Sequence, residues 1–197
     1  MANKDIEIEI KFPLQNQEEV IGFLDKNAEL VSRNDLQKDT YFIPVHRNFV
    51  GVKYPFEWLR LRETLKGSSV NYKHFYPENV KKTDYCDEFE TKLHDAGALR
   101  KIFRSLDFKE LIVVDKKRSI WNFKDAEIAI DDVKGLGSFI ELEAKKDYDD
   151  SKEGKKHLYK VLNLLNAKVG EEDLRGYPFL ILERKSGSGF ADKANLP

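Results

Sequence analysis

In residues 5–12, DIEIEIKF, apolar Ile6, Ile8 and Ile10 alternate with Glu7, Glu9 and Lys11. A β-strand turns successive side chains to opposite faces, so this segment has one oily face and one face with two carboxylates and an ammonium in a row. The pattern recurs. Arg60 and Arg62 alternate with Leu59 and Leu61, Glu88 and Glu90 lead to Lys92, and Lys116 and Arg118 flank Lys117. Glu141 and Glu143 alternate with Ile140 and Leu142, and Asp131 ends a strand containing Glu127 and Ala129. The spacing predicts strands with a one-sided charged face, carboxylates on some and cations on others.

Three segments have helical spacing instead. They are residues 17–30 (Val20, Leu24, Ala28), 95–108 (Leu99, Ile102, Phe103, Leu106, with Asp95 as N-cap) and 155–167 (Leu158, Val161, Leu162, Leu165). Strand-like runs at 39–45, 56–65, 69–75, 84–93, 111–123, 125–133 and 138–146 complete an α+β chain, with Gly135 and Gly137 marking a tight return. The expected organisation is one domain over 1–185. Residues 186–197, within the Gly- and Ser-bearing run that starts at Lys185, read as a flexible C-terminal tail or an expression remnant.

A single strand with one charged face is ordinary on a solvated sheet, where exposed ion pairs are worth at most about 1 kcal/mol. Amphipathic helices, however, need an apolar surface to cover. Covering the oily faces pushes every charged face to one common side, and twisted antiparallel strands with a common polar side can curl into a barrel, which removes exposed edges. Inside it, two carboxylates about 5 Å apart repel by roughly 3 kcal/mol at an effective dielectric near 20. A divalent cation removes that cost, and oxygen-only ligands suit Mg²⁺ or Mn²⁺. Opposing Lys and Arg then call for a multiply charged anion. Cations beside a carboxylate-held metal describe a polyphosphate site.

Composition narrows the partners. Charged residues make up 35% of the 197, yet the net charge is −1, so no global field points to nucleic acid or an acidic membrane. Cys86 is the only cysteine, which excludes an intrachain disulfide and fits a reducing compartment. The four histidines lack zinc-ligand spacing, no apolar run approaches the ~20 residues of a membrane helix, and the N-terminus does not read as a signal peptide. The expectation is a cytoplasmic protein, monomer or homodimer.

EIEIK (Glu7, Glu9, Lys11) resembles the ExExK signature of the CYTH superfamily, the triphosphate tunnel metalloenzymes. LRLRE, NYKHF, DEFET, VDKKR, IAIDDVKGLGSFIELE and RGYPFLILE follow in that family's order, spanning residues 6 to 184. The run from VDKKR to RGYP is similar to the class IV adenylyl cyclase branch. The resemblance implies a closed eight-stranded antiparallel β-barrel, the triphosphate tunnel, with helices outside. It implies Glu7, Glu9, Asp131, Glu141 and Glu143 as ligands of Mg²⁺ or Mn²⁺, and Lys11, Arg60, Arg62, Lys73, Lys116 and Arg118 as phosphate clamps. Among the clamps, Lys11, Arg60, Lys116 and Arg118 would stabilise the departing pyrophosphate. Glu88, Glu90 and Tyr177 are candidates for a second metal or a substrate contact.

The activity implied is conversion of ATP to cyclic AMP and pyrophosphate. Hydrolysis of inorganic, nucleoside or thiamine triphosphate is the alternative, because phosphate charge is common to all these substrates. A non-catalytic nucleotide or polyphosphate sensor is a further alternative. The carboxylates argue against it, since binding anions needs cations far more than acids.

Overall fold

The computed structural model describes residues 6–148 and 150–186. In chain order its elements are β1 (Ile6–Glu7), β2 (Glu9–Pro13), α1 (Gln17–Asn27), β3 (Glu29–Ile43), β4 (Glu57–Thr64), β5 (Gly67–Tyr76) and β6 (Tyr85–Leu93). There follow α2 (Ala96–Ser105), β7 (Lys109–Phe123), β8 (Ala126–Val133), β9 (Gly137–Ala144), α3 (Ser151–Leu164) and α4 (Tyr177–Ser186). The strands form one antiparallel sheet in the order β1-β6-β5-β4-β3-β7-β8-β9-β2. Its two ends, β1 and β2, are separated in the chain by Ile8 alone, so the sheet must curl until they meet there.

The expected closed barrel is corrected in one respect: the hydrogen-bond ladder is open at that seam. β1 gives two residues to β6 and β2 gives five to β9, and the chain itself crosses the gap. The reason lies in β6, which begins at Tyr85, one residue beyond the Glu7–Cys86 pair, leaving β2 without a strand on that side. Residues 168–173 cover the bare edge. Gln15 N donates to Lys168 O, Gly170 N to Pro13 O and Asp173 N to Lys11 O, all within 3.0 Å. Counting β1 and β2 as one interrupted strand yields the eight expected passes.

Alternation decides what each face packs against. On the outer face Ile8, Ile10, Phe12, Trp121, Ile128, Ile130, Ile140 and Leu142 are buried under Val20 and Leu24 of α1 and Leu158, Val161 and Leu162 of α3. Each fully buried aliphatic side chain of this kind contributes about 1.5–3 kcal/mol before entropy is counted. A second core occupies one end of the inner face, where Tyr41, Trp58, Phe75, Cys86, Val114, Val133 and Phe139 meet Tyr177 and Phe179 of α4. Gly176, at φ +87°, makes the turn into α4 directly beneath the Trp58 indole, where a Cβ would lie 3.0 Å from Nε1. The inner space is therefore a cup with an apolar floor.

Three local expectations change. The first helix stops at Asn27, and Ala28 turns extended so that β3 starts at Glu29; register shifts between Leu30 and Asp35 hide its alternation. The second helix has its Asp95 cap, which accepts from Ala98 N at 2.9 Å, yet buries no residue: Ile102 stays 53% exposed. α4 takes in Lys185 and Ser186, which the tail reading had set aside, and 187–197 of that segment lie outside the described residues. No helix among those described is long and apolar enough to cross a membrane.

Candidate functional site

The cup encloses a cavity of about 530 Å³. Glu7, Glu9, Lys11, Arg60, Arg62, Lys73, Glu88, Glu90, Lys116, Arg118, Glu141, Glu143 and Tyr177, spread over seven strands and α4, all line it. Alternation placed them on one face and the curl brings them together. Lys117, between two lining residues, is exposed, as alternation requires. The side chains of Glu90 (45%) and Lys145 (43%) mark the solvent side of the cavity, opposite the aromatic floor.

Three carboxylates hold cations in place. Asp131 receives Arg118 through Nε at 2.7 Å and a terminal nitrogen at 2.6 Å, Lys116 Nζ at 3.1 Å and the Tyr177 hydroxyl at 2.7 Å. Both oxygens of Asp131, which was expected on a metal, are taken up by these donors, and it is the counter-ion of Lys116 and Arg118. Glu141, also expected on metal, pairs with Lys11 at 3.0 Å and Arg118 at 3.2 Å. Asp39, 1% exposed at its side chain, grips Arg62 with two 2.7 Å bonds and lies 3.7 Å from Arg60. The Tyr177 ring attracts two like charges, with the Lys11 and Lys116 ammoniums 5.0 and 5.1 Å from its centroid.

Three further acids surround Lys73. Its Nζ is 2.6 Å from Glu7, 3.5 Å from Glu9 and 3.7 Å from Glu88. Glu88 also accepts from the Asn71 amide. Both Glu9 oxygens are buried and accept no hydrogen bond from any described residue. Such a carboxylate is costly unless something positive reaches it. Glu143, opposite Glu9 in the β2–β9 register, pairs with Lys145 at 2.8 Å on the solvent side of the cavity, and Glu90 lies 3.6 Å from Arg60. Among the described residues, no three His, Cys, Asp or Glu side chains stand ready to hold a metal ion as they are. The orphaned oxygens of Glu9 and the all-oxygen donor set nonetheless fit a hard divalent ion at Glu7 and Glu9.

Burial and charge pull the titrations apart. Burial raises Glu7 well above the ordinary carboxylate range despite Lys73. Burial is the largest influence on Glu88 as well and pushes it up, but Lys73, Glu7, Arg60 and Asn71 together draw it down to about 2. Lys116 is lowered to about 7, first by burial and then by the Arg118 guanidinium, against the pull of Asp131. An anion entering the cup favours the ammonium and lifts this value again. Triphosphate binding at pH 8 is therefore expected to take up close to one proton, and Lys116→Met to abolish that uptake. Calorimetry in buffers of different ionisation enthalpy measures it; equal uptake by both proteins would rule out Lys116 as the group.

Asp39 stands outside every i, i+2 charge pair in the sequence, although it lies two residues from Gln37 and Tyr41 on the same face. Its register partner is Arg62, a relation that sequence spacing does not carry. Asn71, Trp58 and Gln37, which also line the cavity, are uncharged and gave no signal. His74 stacks on Tyr76 outside the cavity, as its parity with Lys73 predicts.

Comparison with known proteins follows the same geometry. "Putative adenylate cyclase MJ0240" of Methanocaldococcus jannaschii is 35% identical over 162 residues, covering 82% of this chain and 89% of the relative. The PH1819 protein of Pyrococcus horikoshii OT3 superposes with a TM-score of 0.74 at 27% identity, over 90% of this chain and 99% of its own. A Hippeastrum protein described as having a dominant triphosphatase activity shares the fold at a TM-score of 0.58 and 15% identity, over 91% and 96% of the two chains. The CYTH domain matches residues 5–177. That span runs from the residue before the first strand to the first residue of α4 and leaves none of the described strands outside it, and the chain belongs to the CYTH domain family.

Proposed function

We propose that this protein converts ATP to cyclic AMP and pyrophosphate with a divalent metal, Mg²⁺ or Mn²⁺, inside the cup. The observation that carries the reading is the pairing of five cavity-lining cations, Lys11, Arg60, Arg62, Lys116 and Arg118, with the hydrogen-bond-free carboxylate of Glu9. A cavity of about 530 Å³ exceeds what a triphosphate chain fills and leaves room for a nucleoside toward the solvent side. The relative named as an adenylate cyclase agrees with this. Arg60 and Arg62, aimed by Asp39, and Arg118 and Lys116, aimed by Asp131, hold the phosphates. Their charge stabilises the pyrophosphate as the ribose 3′-oxygen attacks the α-phosphorus in line. Glu7 and Glu9 would hold the divalent ion, which when bound would supply Lewis acidity and lower the pKa of the attacking hydroxyl. The aromatic floor keeps the phosphate end of the cup from water on that side.

The second reading is hydrolysis of a triphosphate, with water in place of the ribose hydroxyl. It uses the same clamps, and the Hippeastrum protein shows that the fold accommodates such chemistry. Purified enzyme incubated with ATP or inorganic triphosphate and Mn²⁺, with products separated by chromatography, tests both. Cyclic AMP and pyrophosphate in equal amounts are expected. Rapid orthophosphate release from inorganic triphosphate with ATP untouched would replace the first reading with the second.

A further inference from the structure

We infer that Lys73 is a built-in occupant of the metal position, one that a divalent ion must displace and that then becomes free to hold phosphate. The inference rests on the reading of Glu7 and Glu9 as metal ligands. The ammonium lies within 3.7 Å of three carboxylates, Glu7, Glu9 and Glu88, supplied by β1, β2 and β6. Only Glu7 is close enough for a hydrogen bond, at 2.6 Å. Glu9, 4% exposed, points two unbonded oxygens into the same space. One ammonium thus neutralises part of a cage that carries more negative charge than it supplies.

A divalent ion brings twice the charge and binds at about 2.0–2.2 Å from its oxygens if it is Mg²⁺ or Mn²⁺. An ammonium bonded to Glu7 cannot share that carboxylate with such an ion without severe like-charge repulsion. The lysine stem is flexible, and Lys73 already lines the cavity. Turned from the cage, its ammonium would still lie in the cavity that Arg60 and Lys11 also line. Metal entry then frees a phosphate ligand, and a bound triphosphate draws Lys73 off the carboxylates. Each event favours the other, which makes the coupling reciprocal.

The test is Mn²⁺ binding to the substrate-free full chain, read by electron paramagnetic resonance of the free ion. Lys73→Met is expected to bind Mn²⁺ about tenfold tighter or more than the unaltered protein. Equal or weaker binding would overturn the inference. Should the Met variant melt early by circular dichroism, Lys73→Gln serves in its place with the same expectation. A second readout uses the unaltered chain: acetylation of Lys73, followed by mass spectrometry, should rise when Mn²⁺ is added, and an unchanged yield counts against displacement. Glu9→Gln separates this idea from its premise. If Mn²⁺ binding survives in that variant, the ligand assignment fails and the inference with it; if binding is lost but Lys73→Met has no effect, only the inference fails.

Discussion

Glu9→Gln is expected to cut turnover at least about a hundredfold, the loss that follows removal of a charge-stabilising group from an enclosed site. The fold should not suffer. The carboxylate is buried with two oxygens that accept no hydrogen bond from a described residue, so a neutral amide of the same shape removes an unfavourable buried charge. The melting temperature of the ligand-free protein should hold or rise slightly, while Mn²⁺ affinity falls. These two readouts together distinguish a functional acid from a structural one. A variant that melts several degrees lower, yet keeps near full activity at limiting Mn²⁺, would show that Glu9 serves the fold and not the ion.

Asp131→Asn is expected to have the largest effect on stability. Four donors converge on this carboxylate, and it is 0% exposed. Removing its charge leaves Lys116 and Arg118 buried together, and breaking a buried ion pair from one side costs about 3–5 kcal/mol. In a chain of this length that lowers the melting temperature by roughly 10 °C. Inorganic triphosphate should restore a larger share of that loss than it adds to the unaltered protein, because it returns negative charge beside the stranded cations. Thermal melts with and without the anion check both statements. A melting point within a degree of the unaltered protein would mean that Asp131 is not the counter-ion that keeps the clamps in place.

Much of this design is legible without coordinates. The i, i+2 charges assign Glu7, Glu9, Lys11, Arg60, Arg62, Lys116, Arg118, Glu141 and Glu143 to one face, because strand alternation is a local steric fact. The outer core is equally legible in Ile8, Ile10, Ile140, Leu142 and the helical Leu158, Val161 and Leu162. The aromatic floor is less so. Tyr41, Trp58 and Phe139 share the inner face with charged neighbours, and nothing in their spacing says that α4 comes back to cover them. α4 itself begins with Tyr177 and Pro178 and has no clear apolar stripe, so its helical identity comes from packing more than from pattern.

The sequence by itself determined which side chains share a face, and hence that a dense field of both charge signs lies within a curled sheet. Its alternation depends only on neighbouring residues. Which acid meets which base was decided by the tertiary structure alone. Register sets Asp39 opposite Arg62 and Lys11 opposite Glu141, and it sets Asp131 opposite Arg118 while leaving Glu9 across from another acid, Glu143. Register arises from the summed packing of strands far apart in the chain. The carboxylates therefore divide into those that aim cations and those left without a hydrogen bond by how the sheet closes on itself.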